Sequence, residues 1–209
     1  MGSKMKIFGI VALGAVLALP AFVAISAGNQ AADEEKINER YRAFAINMGA
    51  VGTGRNTVLD IAITRWSEDA EREALIATLI EQGHDKFVDL LRSKEEVGWA
   101  RGQGAAAAAN PFPSTRIHYS RVVTQADGTR EIILVTDRYL GMREVARASR
   151  SVDYNVSMLQ MTMPPGDDPT GTGQLYMGLK LKWNADKKRL EAEQMNTEPI
   201  RLTNIRQTR

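Results

Sequence analysis

From residue 41 onward, hydrophobic and polar positions largely alternate with period two, the pattern of strands with one buried face. YRAFAINMGAV (41–51) reads as a strand. NTVLDIAITRW (56–66) reads as a clearer one, with Leu59, Ile61 and Ile63 on one face. The period then changes. Ser67 reads as an N-cap, and Glu68, Asp69 and Glu71 sit near the positive end of a helix dipole. EDAEREALIATLIEQ pairs Leu75 with Leu79 and Ile76 with Ile80 at i,i+4, predicting one apolar stripe. Gly83 ends this helix, and HDKFVDLLRS begins a second with Phe87, Leu90 and Leu91 inward. The helical hairpin over 67–93 must cover something, and one end or one face of a sheet is expected.

Residues 100–115 are punctuated by Gly102, Gly104, Pro111 and Pro113, and the five-alanine run 105–109 is too short for a helix alone. They predict a flexible loop, or a flap over a pocket. Strands then resume: TRIHYSRVVTQ and TREIILVTD flank the hairpin signal Ala126-Asp127-Gly128. DYNVSMLQMTM follows, then a Pro-Pro-Gly-Asp-Asp-Pro loop. GQLYMGLKLKW predicts Leu175, Met177, Leu179, Leu181 and Trp183 inward, and RLEAEQM and PIRLTNIR finish the chain. The fold class is α+β and mainly antiparallel β. About eight strands form a meander that closes as a barrel or stacks as a sandwich, with the helical hairpin inserted after the second strand.

Gly52-Thr53-Gly54 and Gly171-Thr172-Gly173 look like the start of a phosphate loop. Such a loop needs a helix behind it to supply free N–H groups, and both triplets run into β-branched, alternating sequence. Both therefore read as hairpin turns, using the positive φ that glycine allows.

The N-terminus changes the picture of the whole. Lys4 and Lys6 precede the apolar run 7–27, which ends in Ala24, Ser26 and Ala27, the parts of a secretory signal. Residues 1–27 are expected to be a signal peptide cleaved near Gly28, giving a periplasmic or secreted protein. The run is also long enough for an uncleaved membrane anchor, the only membrane contact expected. Residues 28–40 read as a polar tether, and 41–209 as a single β-rich domain. Of 27 Lys+Arg and 25 Asp+Glu, residues 1–27 hold two bases and no acid. The remainder is balanced at 25 against 25 (27 − 2 against 25 − 0), which disfavours nucleic acid as a partner. With no Cys there are no disulfides, thiolate metal sites or Cys nucleophiles.

TRWSEDAEREALI, GTREIILVTDR, SRSVDYNVSMLQM and NTEPIRLTNIR resemble a family of exported bacterial proteins of uncharacterised function, over residues 43–206. The resemblance implies a strand-rich domain with the same helical insert after Arg-Trp-Ser. It implies no activity, substrate or site residue. Tyr139 follows Thr-Asp-Arg here, where such proteins usually carry proline.

Candidate chemistry is sparse. His118 in RIHYS, beside Tyr119, has a general base's residue type, although an outward or hydrogen-bonded strand histidine is the plainer reading. His84 opens the second helix beside Asp85 and reads as solvated. Neither histidine has the spacing of a metal site, so no metal and no cofactor is expected. Asp137 and Asp153 end and begin strands. They read as turn or salt-bridge residues rather than a glycosidase pair, and Gly-x-Ser-x-Gly is absent. Arg138, Arg143, Arg147 and Arg150 form the densest basic group and could clamp a carboxylate or phosphate; a solvated helix is the plainer reading. Met158, Met161, Met163 and Met177 suit either a filled core or an apolar pocket. The expected function is a non-enzymatic exported domain that binds a small apolar or anionic ligand. The ligand-binding candidates are His118, Tyr119, Arg138, Arg143, Arg147, Arg150, Met161 and Met177. A protein-interaction or scaffold domain of the cell envelope is the alternative, and a hydrolase ranks below both.

Overall fold

The computed structural model describes residues 38–46, 56–103, 114–138, 154–167, 169–186, 189–194 and 198–208. Ten strands and two helices follow in the order β1 (Glu39–Ile46), β2 (Asn56–Ile63), α1 (Asp69–Gln82), α2 (His84–Ser93), β3 (Gly98–Gln103), β4 (Thr115–Ile117), β5 (Tyr119–Thr124), β6 (Arg130–Thr136), β7 (Val156–Met163), β8 (Gly171–Asn184), β9 (Arg189–Gln194) and β10 (Ile200–Thr208). Every pairing is antiparallel, in the order β4-β3-β2-β1-β10-β8-β7-β6-β5, with β9 on β8.

This sheet curls into a nearly closed barrel, and two interrupted strands explain how ten strands do the work of eight staves. β4 pairs β3 and β5 pairs β6, with only His118 between them. The His118 N–H donates to Val135 O at 3.1 Å, so one continuous run of chain changes partner and closes the gap. β9 and β10 likewise share one edge of β8: Leu179 to Asn184 pair β9, and Gly171 to Leu175 pair β10. The edge of β5 away from β6 meets the segment after β2, where Ser67 N donates to Ser120 O at 2.9 Å. A covered edge cannot recruit a foreign strand.

The interior is filled. Tyr41, Leu59, Ile61, Ile63, Ile132, Leu134, Met161, Leu175, Ile200 and Leu202 are all almost wholly buried in one cluster. At one end of the barrel Arg130 donates to both Glu39 oxygens, each at 3.0 Å, and to Tyr41 Oη at 3.3 Å; Tyr41 also bonds Glu39. β1 and β6 lie four steps apart either way round, through β10, β8 and β7 or through β2, β3 and β4/β5, so this clamp joins opposite walls. Burial, then the bond to Glu39, pushes the Tyr41 hydroxyl far up, and it stays a donor at neutral pH.

The helical hairpin lies on the outer face. Tyr119, Val135, Met158 and Tyr176 form one cross-strand row opposite in parity to the core, and Leu75, Leu79, Phe87, Val88 and Leu91 pack over it. Each buried side chain of this size contributes about 1.5–3 kcal/mol, so packing rather than propensity holds the helices.

Several expectations are corrected. Ile76 and Ile80 are 37% and 44% exposed, so the four residues do not make one stripe and only Leu75 and Leu79 face the sheet. Glu68, not Ser67, is the N-cap of α1, in a reciprocal capping box with Glu71. Ser67 serves β5 instead. Residues 98–103 and 115–117 are strands, leaving 104–113 of the expected loop outside the described residues. Gly171 to Gly173 lie inside β8 rather than in a turn, while Gly52 to Gly54 are outside the described residues. In β8, Gly178 has φ 64°, and beyond it Leu179 and Leu181 join the helix-facing cluster while Leu175 and Met177 face the barrel. A bulge reverses strand parity, which alternation alone does not reveal.

Arg65 donates to both oxygens of Glu71, at 2.9 and 3.1 Å, and Glu68 N donates at 3.0 Å. Chiefly through Arg65, the Glu71 carboxyl is held below the usual glutamate range. A depressed folded value gives stability that is complete at neutral pH and lost as pH falls through that range. Glu71→Gln is therefore expected to melt below the parent at neutral pH and to converge with it in acid. Parallel melting curves at all pH values would show that the pair contributes nothing.

Candidate functional site

The histidine that the sequence marks for chemistry meets a carboxylate. His118 Nε2 lies 3.6 Å from Asp137 Oδ1, with both side chains about nine-tenths buried. Arg92 Nε donates to Asp137 Oδ2 at 2.8 Å. His118 Nδ1 lies 3.0 Å from Lys94 O, and since a carbonyl only accepts, Nδ1 carries the hydrogen. Both ring nitrogens thus face protein groups, Nδ1 the Lys94 carbonyl and Nε2 the Asp137 carboxylate. The cluster ties the end of α2 to β5 and β6. Tyr119 faces the helices, its hydroxyl pushed up by burial, so it is no base at neutral pH.

The other candidates disperse. Met161 and Met177 lie in the barrel core. Arg138 is exposed just after β6, and its carbonyl accepts from Ser157 Oγ at 2.7 Å. Arg143, Arg147, Arg150 and Asp153 lie outside the described residues. His84 is buried rather than solvated: Nδ1 accepts from Leu181 N at 3.1 Å, Nε2 lies 3.1 Å from Asn155 Oδ1, and the ring stacks on Phe87. It caps β8 where β7 stops. Among the described residues, no three His, Asp or Glu side chains gather as metal ligands.

A different surface combines concavity with a cluster of polar groups. On the outer wall of β7, β8 and β10, Gln160, Thr162, Thr172, Gln174, Arg201 and Thr203 line a groove of about 340 Å³ floored by Gly173 and Leu202. Register places them in rows: Gln160, Gln174 and Arg201 directly across neighbouring strands, and Thr162 opposite Thr172. The wall is shaped from inside. A Cβ at Gly173 would sit 2.3 Å from Gln160 O, so glycine alone lets β7 and β8 approach this closely. Next to the groove, Asn204 has φ 51° at a bulge that shifts the register of β10 on both sides. That extra residue lets Leu202 and Ile205, three apart, both point inward. Asparagine tolerates this left-handed conformation better than most side chains.

Two arginines elsewhere on the outer wall share a carboxylate. Arg42 Nε meets Asp60 at 2.9 Å, and Arg101 reaches the same carboxylate at 3.9 Å. Arg201 is exposed and, among the described residues, has no carboxylate partner. Inside the barrel the space beside Ala100, Thr115, Leu134, Thr136 and Ser157 is only about 10 Å³, about one water molecule. No helix among the described residues is long and apolar enough to cross a membrane. Comparison of the chain with protein-family models, curated proteins and solved structures returns no match.

Proposed function

We propose that this chain is a non-enzymatic exported binding domain that takes a small anionic ligand in the groove on its outer wall. One observation carries the reading: Arg201, the one cation lining a 340 Å³ groove, has no carboxylate partner among the described residues, whereas Arg42 and Arg101 share Asp60. A ligand carboxylate or phosphate supplies the missing charge, and the threonines and glutamines around it supply hydrogen bonds. Export rests on Lys4, Lys6 and the apolar run 7–27, cleaved or kept as an anchor. The packed interior argues against the apolar half of the expected ligand class, because a molecule inside the barrel would have to displace core side chains.

The test is a titration of the isotope-labelled protein with acetate and with inorganic phosphate. Amide signals of Thr172, Gln174 and Thr203 are expected to move together. Arg201→Ala is expected to weaken binding about tenfold to a hundredfold, the value of a charged hydrogen bond. Silence across β7, β8 and β10 would overturn the reading. It would leave the scaffold alternative, for which the exposed Ile76 and Ile80 of α1 are the supporting feature.

A further inference from the structure

We infer that the groove takes a sugar acid: a hydroxyl-rich ring carrying one carboxylate, either free or as a residue of a glycan. The inference rests on the anion-binding reading above and narrows it. A simple oxyanion needs donors, and cations or backbone N–H groups serve it best. Five of the six polar groups here, Gln160, Gln174, Thr162, Thr172 and Thr203, can both donate and accept. Sugar hydroxyls have the same double character, so a surface of mixed amides and hydroxyls matches them better than it matches a bare ion.

Two further features set polarity along the groove. Gln174 accepts a hydrogen bond from the Tyr176 hydroxyl and stands directly across from Arg201, so the amide and the guanidinium together form one donor-bearing end. At the other end Glu131 on β6 pairs directly with Thr162 and shares the outward face. Its carboxylate accepts from Gln125 at 3.2 Å and repels a second negative charge. A ligand with one acid group at the Arg201 end and neutral hydroxyls toward Thr162 fits; a polyanion does not. Phe44 completes the site. It lies directly across from Thr203, faces outward, and is 39% exposed, one of the few large apolar side chains left in solvent. An aromatic ring beside amides and hydroxyls offers the flat face on which a pyranose C–H face stacks.

The experiment compares glucuronate, glucose, acetate and inorganic phosphate on the full chain, by chemical-shift titration and calorimetry, with Phe44→Ala and Arg201→Ala as variants. Phe44 is exposed, so its truncation spares the core. Glucuronate is expected to bind at least tenfold more tightly than acetate, phosphate or glucose. Phe44→Ala should lose about threefold to tenfold for glucuronate and nothing for acetate, and Arg201→Ala should abolish the preference for glucuronate over glucose. A disaccharide arm of one glucuronate joined to one neutral sugar separates the sources: tighter binding than glucuronate alone supports a glycan, and equal binding supports a free sugar acid. If acetate or phosphate binds as tightly as glucuronate and Phe44→Ala is silent, the sugar-acid inference falls while the anion groove stands. If no ligand moves β7, β8 or β10, both fall.

Discussion

Gly98→Ala is expected to destabilise the barrel far more than one added methyl group ordinarily does. A Cβ at Gly98 would lie 2.1 Å from Ala62 O, 3.1 Å from Ala62 C and 3.2 Å from Ile63 Cα. All three atoms belong to the backbone of β2, whose Ile63 pairs with Gly98, so no rotamer change relieves the clash. The start of β3 must move, and Val97 moves with it. Val97 is fully buried, and its backbone joins Thr64 and Ile117 at 2.9 and 2.8 Å. Overpacking costs about 1–3 kcal/mol where side chains can adjust, and more where they cannot. Against a typical total of about 5–15 kcal/mol, a loss above about 3 kcal/mol is expected in urea unfolding. Glu95→Ala, at an exposed position three residues earlier, should stay within about 0.5 kcal/mol of the parent. Equal midpoints for the two variants would mean that β2 and β3 are not this close in solution.

Met161→Ala is the second large effect, and it bears on function. In a filled core the truncation costs about 2–5 kcal/mol, because both transfer energy and a cavity are lost. Met161 is fully enclosed, and Gly173 stands opposite it across β8. Had methionines lined a ligand chamber, the empty protein would tolerate the change. The expected result is a lower unfolding midpoint, with benzene-sized probes bound by the variant and not by the parent. Parent protein that takes up such a probe, with Met161→Ala as stable as the parent, would return the ligand to the barrel interior.

The sequence made the strands easy to find where alternation was long and undisturbed, as from Thr57 to Ile63 or from Arg130 to Thr136. It made the helical hairpin easy to find through its change of period. Alternation fails where the backbone breaks its own rule. Gly178 reverses parity within β8, Asn204 does the same within β10, and His118 divides one apparent strand between two partners. None of these leaves a signature in hydrophobicity. The short strand β3 looks like a loop because it holds two glycines in six residues, of which Gly98 serves close approach to β2 rather than turning. Of the candidate site, His118 and Asp137 stood out by residue type, and they do meet. The groove did not stand out. Its residues are ordinary outward positions at i,i+2 on three strands, and they become one surface only because β9 and β10 share an edge of β8. Thr162 and Gln160, Thr172 and Gln174, Arg201 and Thr203 could have been flagged as polar i,i+2 pairs. Nothing in the chain order said that they were neighbours.

The first and last strands of this barrel lie side by side: β1 pairs with β10 from Arg40 opposite Thr208 to Ile46 opposite Arg201. A chain emerging in order from a ribosome or a translocation channel therefore cannot complete its cylinder until the final nine-residue strand is released. Until then β1 and β8 both wait with open edges, the situation in which partly made proteins recruit chaperones or one another. Folding is thus a late, all-at-once event with high sequence separation between its decisive contacts. A nascent chain lacking its last ten residues would be a client for folding helpers, whatever the mature protein binds.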